Sequence, residues 1–516
     1  MAETEVTYSR SENYSQHIRG GKRRRHSRQE RIPYNQSFND RLLPTRVWPA
    51  FLWSLVVSAL SVANPYLIQL ATNLQSQDLY AGMAMQAGQS PYGQFFGTSG
   101  VLYYLVTYVG SFFGTTIGLA GLQFIALLIA GTYFYKIAAY FSNSAQAARS
   151  LQHWFYLFIL ALNFGGIQAS LFVLPVLFTS LWLLIRYFEH AVRDEAFILY
   201  GIDAAIAFMV YPKSSLLWVV SVLVLLVYNA THRQIARGIY QALATIFGFL
   251  LVVYSIGYYT FEAQILGSAI RQTFLYELGL NFSYDGILWT IAQIGIFLAL
   301  SGFLKHFLQT IGSLGQGRHT YVKVIVLLTF FVQLFFVLAS GHFVISQLVL
   351  FLPYGFIMSL VHYMPEEEED DEFDDDEAYS YLQSSLYLPV FLCLLIFLQP
   401  AMTYFVEEDL TKERESVARY IRNNSQRSDL VYAWDDSAQI YLQSKRLSAA
   451  AIITPTPYLD TKSNQDNLTF DLNKNKARYV VVNHQVAMLD SVQANLEANY
   501  EKVDLGTGRF SLYEKK

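Results

Sequence analysis

Hydrophobic positions along this chain gather into long blocks, with neither the alternation of a half-buried strand nor the narrow stripe of a helix on a soluble core. A helix needs about 20 apolar residues to cross a bilayer core. Blocks of that order lie at 47-69, 116-138, 151-165, 168-186, 195-212, 214-230, 239-258, 286-304, 322-340, 343-363 and 385-405. A further run, GVLYYLVTYVGSFFG at 100-114, is short, flanked by Gly and rich in Tyr. Lys and Arg in short loops stay on the cytoplasmic side. If 100-114 does not cross, the loops carrying Lys136/Arg149, Arg186/Arg193, Arg233/Arg237 and Lys305/Arg318 fall inside with the basic N-terminus, and if it crosses all of them fall outside. The pattern therefore predicts a mainly α, polytopic membrane protein with about 11 transmembrane helices, and makes 100-114 an interfacial or re-entrant helix.

That parity sets the domains. Residues 1-46 form a basic cytoplasmic tail containing Lys22, Arg23, Arg24 and Arg25, residues 47-405 the multi-span domain, and residues 406-516 an extracytoplasmic domain. The loop 70-115, the turn Tyr211-Pro212-Lys213 and the loop from 259 to 285 lie outside, and the loop 364-383 lies inside. The last segment reads differently from the rest. LVYAW, AAAIIT, RYVVVN and FSLYE have strand character, while LTKERESVARYIRNNS, SAQIYLQSKR and VAMLDSVQANLEANY have helical character, which predicts a small α/β domain with a mainly parallel sheet.

Composition agrees: 53% of the 516 residues are hydrophobic and only 15% charged, too few for a single water-soluble globule, for disorder or for nucleic-acid binding. The net charge of -4 hides an acidic run, Glu366 to Glu377, broken only by Phe373. Such a run is usually a solvated loop, and its alternative role is to bind a basic cytoplasmic partner. The single cysteine, Cys393, excludes an intrachain disulfide and a Cys-based metal site. No cleavable signal peptide precedes the first apolar block.

Phosphate-loop, HExxH and GxSxG signatures are missing, and GSLGQG at 312-317 follows no strand. The informative segment is the outer loop from Leu70 to Leu105. Its Asp78, Tyr80, Gly88, Pro91-Tyr92 and Leu102-Tyr103-Tyr104-Leu105 resemble the first outer loop of the GT-C superfamily of membrane glycosyltransferases, the class that includes protein mannosyltransferases and lipid A aminoarabinose transferases. The many-span core, AFILYGIDAAIAFMVYPKSSLLW and a terminal outer α/β domain extend the likeness over most of the chain. The resemblance implies an enzyme of the plasma membrane, N-terminus inside and C-terminal domain outside. It would move a sugar from a polyprenyl-phosphate donor, held in membrane lipid, to an envelope polysaccharide, lipid or protein. The alternative is a non-catalytic GT-C relative or a transporter-like protein acting as an envelope-assembly scaffold.

Candidate site residues follow. Asp78, the only acid between Asp40 and Glu189, is the candidate base for an acceptor hydroxyl, or the ligand of a divalent cation (Mg or Mn) if one is used. It reads equally as an ordinary surface acid. Where the superfamily carries an Asp-Glu pair ahead of the tyrosine, this chain has Ser76 and Gln77, with Asp78 displaced. Lys213 resembles the lysine that the class uses on donor phosphate, or it snorkels to lipid headgroups. Arg271 is a second phosphate candidate, or a partner of Glu277. Tyr80, Tyr92, Tyr103 and Tyr104 line the substrate loop by the same resemblance. Asp203, inside a predicted span, is an intramembrane polar site or pairs with a polar neighbour such as Asn163 or Gln168.

Overall fold

The computed structural model describes residues 47–162, 166–276, 278–279, 286–315, 319–341, 343–361 and 379–516. The basic tail, the acidic run, Asn163, Glu277 and Arg318 lie outside these residues. The helical domain comprises α1 (Val47–Ala59), α2 (Asn73–Gln86), α3 (Val101–Gly110), α4 (Ile117–Ser142), α5 (Ala145–Leu162), α6 (Ala169–Phe188), α7 (Ala196–Val210) and α8 (Leu216–Thr231). It continues through α9 (Ile235–Glu262), α10 (Leu266–Ala269), α11 (Ile287–Leu300), α12 (Phe303–Gly312), α13 (Thr320–Ala339), α14 (Leu352–Val361), α15 (Tyr381–Ser384) and α16 (Leu388–Val406).

The apolar blocks are more broken than their lengths suggest. Among the described residues, five helices are long and apolar enough to cross a membrane, or six if α11 and α12 are one broken span. The block 47-69 stops being helical at Ala59, because the Asn64 side chain caps the Ala59 carbonyl at 2.9 Å and Pro65 follows. The block 286-304 bends by 73° between α11 and α12, where Gly302 takes a φ of +79°. Lys305 Nζ donates to the Ser384 carbonyl at 2.6 Å, fastening this elbow to the segment that returns after the acidic run. The block 343-363 opens as a 3-10 helix, Ile345–Phe351, before α14. The segment 100-114 forms the ten-residue α3, about 15 Å long by its rise and too short to span.

Packing inside this domain relies on aromatic rings and small residues. Phe134, Phe155, Phe178 and Phe356 form one buried cluster with ring centroids 4.9 to 6.4 Å apart. Helices α7 and α9 touch backbone to backbone: a Cβ at Gly201 would lie 2.0 Å from the Thr245 carbonyl oxygen, and one at Gly248 would lie 2.0 Å from that of Ile198.

Beyond α16 come α17 (Glu408–Asn424), β1 (Leu430–Trp434), α18 (Gln439–Ser444), β2 (Leu447–Ser448), α19 (Lys462–Asn473), β3 (Ala477–Asn483), α20 (Asp490–Asn499), β4 (Tyr500–Val503) and β5 (Phe510–Lys515). The sheet order is β2-β1-β3-β5-β4. Strands β2, β1 and β3 run parallel, while β5 and β4 are antiparallel, so the sheet is mixed where a mainly parallel one is expected. AAAIIT is not a strand. Only its first residue reaches the sheet, Ala449 N donating to the Val431 carbonyl at 2.9 Å, and the Ala451 carbonyl instead accepts from Phe96 N of the helical domain at 2.8 Å. Helix α19 and strand β4 carry weak periodicity and escape the sequence pattern.

The α/β domain is locked at the carboxyl end of β1. Arg414 on α17 holds Asp435 with two bonds, of 2.8 and 2.9 Å, and also reaches Asp436. Asn483, at the end of β3, donates to Asp435 at 2.7 Å. Asp435 is fully buried, so this pair and its amide donor share one desolvated cluster. Burial and the neighbouring Asp435 push the Asp436 carboxyl from 3.8 up to about 6.

Candidate functional site

Helix α2 begins with a capping box, in which Thr72 N donates to the Gln75 side chain at 3.0 Å. Eight of the fourteen residues of α2 are buried and only Gln86 is exposed, because different faces of the helix serve different halves of the molecule. Asn73, Ser76, Gln77 and Tyr80, spaced at i, i+3, i+4 and i+7, share the face turned to the α/β domain. Asn73 Nδ2 donates to the Thr456 carbonyl at 2.7 Å and Gln77 Nε2 to Thr454 Oγ1 at 2.8 Å. Ser76 Oγ accepts from Ala438 N at 2.9 Å, and Tyr80 Oη from Ser448 N at 2.8 Å. The places of the superfamily's acidic pair, 76 and 77, are thus occupied by domain-docking side chains.

Asp78 turns away from that face toward α3. Helices α2 and α3 approach closely at Gly82, where a Cβ would lie 3.0 Å from the Thr107 carbonyl oxygen. This brings the Tyr103 hydroxyl within 2.8 Å of Asp78 Oδ2, to which it donates. Burial pushes the Asp78 carboxyl from 3.8 up to about 7, and the Tyr103 bond offsets part of that rise. The Tyr103 and Tyr104 hydroxyls are held well above the ordinary tyrosine range, chiefly by burial.

Asp78 lines a cavity of about 420 Å³. Tyr104, Phe95 and Phe96 supply one wall, Gln168, Ser170 and Tyr211 another, Ser346 and Gln347 a third, and the α/β domain closes it with Thr456, Tyr458 and Asp460. Tyr276 Oη, from the π-helical turn Ile270–Tyr276, donates to Asp460 Oδ1 at 2.8 Å. Gln272 of the same turn accepts from Gly97 N and donates to the Tyr92 carbonyl, both at 3.0 Å, and so holds the 92–97 segment in place.

Of the sequence candidates, Asp78 and Tyr104 line the cavity, and Tyr103 touches it through Asp78. Tyr92 packs edge-on to Tyr104 at 5.3 Å and donates to the Ser99 carbonyl, shaping the wall from behind. Tyr80 is a docking residue and not part of the lining. Lys213 is buried, with Nζ 3.2 Å from Ser340 Oγ, and its neighbours Tyr211 and Gly341 line the cavity although Lys213 does not. Arg271 is exposed and does not line it either. Among the described residues no Lys or Arg lines the cavity. Asp203 lies elsewhere, accepting at Oδ2 from Thr179 Oγ1 at 3.1 Å and Ser180 Oγ at 3.0 Å on α6, while its anticipated neighbour Gln168 faces the cavity.

Sequence reasoning misses Asp460, Tyr458, Tyr276 and Gln272, since nothing in the order of residues joins 276 to 460. The one signal is the Pro-Thr-Pro-Tyr-Leu-Asp run at 455–460, a rigid segment ending in an aromatic residue and an acid. A bound divalent cation would need several oxygen ligands including carboxylates. Among the described residues no three His, Cys, Asp or Glu side chains converge, so those residues present no ready-made cation cage.

The architecture is that of a GT-C membrane protein. It superposes on ArnT from Cupriavidus metallidurans bound to undecaprenyl phosphate with a TM-score of 0.55, at 12% identity, covering 90% of this chain and 96% of that one. The apo state of that protein gives a TM-score of 0.52 at 11% identity over the same shares. No curated protein matches the chain in sequence. Residues 45–408 match the competence-induced Ccs4 N-terminal domain and residues 411–516 the Ccs4 C-terminal domain, and the chain belongs to that family.

Proposed function

We propose that the chain is a GT-C-like glycosyltransferase that moves a sugar from a polyprenyl-phosphate donor to an envelope polysaccharide, lipid or protein at the outer face of the plasma membrane. In this reading the basic tail 1-46 and the acidic loop lie inside and residues 406-516 outside. The observation that carries it is Asp78: a half-buried carboxylate, bonded to Tyr103, beside a cavity walled by amides, hydroxyls and aromatic rings. Such walls suit a sugar, whose hydroxyls need partners and whose C–H faces pack on rings.

Asp78 acts as general base. Its carboxylate takes the acceptor's hydroxyl proton as that oxygen attacks the anomeric carbon, and the bond to the lipid phosphate breaks with its electron pair leaving on phosphate. A carboxyl poised near pH 7 is matched to that exchange. Tyr103 fixes the carboxylate's orientation. Lys213, behind the Tyr211 wall, is the cation assigned to the phosphate, and Arg271 is secondary.

The cation-poor lining, with Ser76 and Gln77 in place of an acidic pair, favours a second reading: a non-catalytic relative acting as an envelope-assembly scaffold. Sugar transfer in envelope vesicles from cells complemented with wild type or Asp78→Asn separates the two. Equal transfer by both would remove Asp78 from the chemistry and leave the scaffold.

A further inference from the structure

Asp203 is the only acid between Ala196 and Glu262, and it sits midway along α7. Its partners Thr179 and Ser180 sit at the middle of α6, one of the helices long enough to span. The carboxylate is therefore at mid-depth. Both hydroxyls bond the same oxygen, Oδ2, and Ser180 Oγ is also committed to Trp218 Nε1 at 3.1 Å.

The position of Asp203 around α7 is equally telling. One side of the helix is closed by α9 through Gly201, and Tyr200, Ala204 and Ala207 are buried. Leu199 is 63% exposed, and Asp203 is only half-buried, as are Ile202 and Ile206 beside it. On α6 the half-buried residues Phe172, Val176, Thr179 and Leu183 recur at steps of four and three, so they form a stripe alongside. Asp203 and Thr179 thus make a polar notch in an otherwise apolar flank that faces out of the helical domain. A charged acid at the centre of a span is costly, and hydroxyl partners return only part of that cost.

We propose that this flank of α6 and α7 docks a transmembrane helix of a partner protein that carries a Lys or Arg at mid-span, whose charge meets Asp203. Charge complementarity selects that occupant. A second copy of this chain would set carboxylate against carboxylate across a two-fold interface. It would offer nothing to neutralise them, because no Lys or Arg lies between Ala169 and Ile185 or between Ala196 and Val210.

The test uses the full-length protein, donor-labelled, in phosphatidylcholine vesicles with acceptor-labelled transmembrane peptides of leucine carrying either Lys or Leu at the central position. Energy transfer should show the Lys peptide binding about ten-fold more tightly than the Leu peptide. Asp203→Asn, which keeps size and hydroxyl bonds, should abolish the difference. Leu199→Trp, which crowds the flank and leaves the carboxylate intact, should weaken the Lys peptide as well. Equal binding of the two peptides, or a Lys preference that survives Asp203→Asn, would overturn the proposal. So would self-association of differently labelled wild-type chains that Asp203→Asn removes, since the occupant would then be a second copy.

Discussion

Tyr276 and Asp460, far apart in sequence, meet through a 2.8 Å hydrogen bond on the cavity wall, joining the turn after α10 to the α/β domain. The Phe96 and Tyr458 rings lie tilted against each other with centroids 4.7 Å apart, and both meet the Tyr276 ring edge-on. Tyr276→Phe keeps the ring packing and removes the bond. It should lower the unfolding free energy by only about 1 kcal/mol, while raising KM for the acceptor more than it lowers kcat. Steady-state transfer with varied acceptor checks this, and an unchanged KM would make the bond purely structural.

Asp78 gives a pH signature with a definite sign. Its carboxyl titrates near 7 in the folded chain, so a base role predicts transfer that rises as pH climbs through about 7. Asp78→Asn should cost about 10²–10⁴-fold in turnover and flatten that rise. Stability runs the opposite way: between 3.8 and about 7 the folded chain holds a proton that the unfolded chain has lost, so stability falls as pH rises across that window. The variant should lose this slope, which denaturation at several pH values would reveal even if no acceptor is known.

Tyr103→Phe separates the base from the bond that orients it. The hydroxyl partly counters the effect of burial on Asp78, so its loss should move the pH midpoint of transfer above that of wild type. A midpoint shifted downward would contradict the role given to Tyr103.

Asp435→Ala leaves the buried Arg414 guanidinium with its contact to Asp436 alone and deprives Asn483 of its acceptor. Breaking one half of a buried pair costs about 3–5 kcal/mol. Thermal unfolding in detergent should show a clear loss, and a near-neutral result would mean that water reaches the cluster.

Sidedness has a direct check. A cysteine placed at Ser463, in a Cys393→Ser background, should react with an impermeant maleimide in intact cells. Reaction only after permeabilisation would put residues 406-516 inside.

Long apolar blocks, the short α3 and the strands β1, β3 and β5 are legible in the sequence, because each depends on local pattern. Breaks at Asn64 and Gly302 are harder to see, since a single capping side chain or a single positive φ cuts a run that hydropathy reads as continuous. Asp78 is legible as an isolated acid in a polar loop. Its partner Tyr103 is picked out by the GT-C likeness, and no local pattern shows that the two meet. Asp460 and Tyr276 are illegible because each looks like an ordinary loop residue until tertiary structure brings both to one wall. Lys213 is legible only as a basic residue at the end of an apolar block, and nothing in the order of residues tells that it packs against Ser340.

The shared face of α2 has an evolutionary consequence. Asn73, Ser76, Gln77 and Tyr80 each satisfy a group in the α/β domain, while Asp78 on the same rigid turn points to the cavity. A substitution at 454 or 456 that shifts the domain would rotate α2 and carry Asp78 with it, so neither side can drift alone. Across relatives, positions 73, 76 and 77 should covary with 438, 454 and 456. Chimeras that exchange the last hundred or so residues between distant members should fail unless the helix is exchanged too.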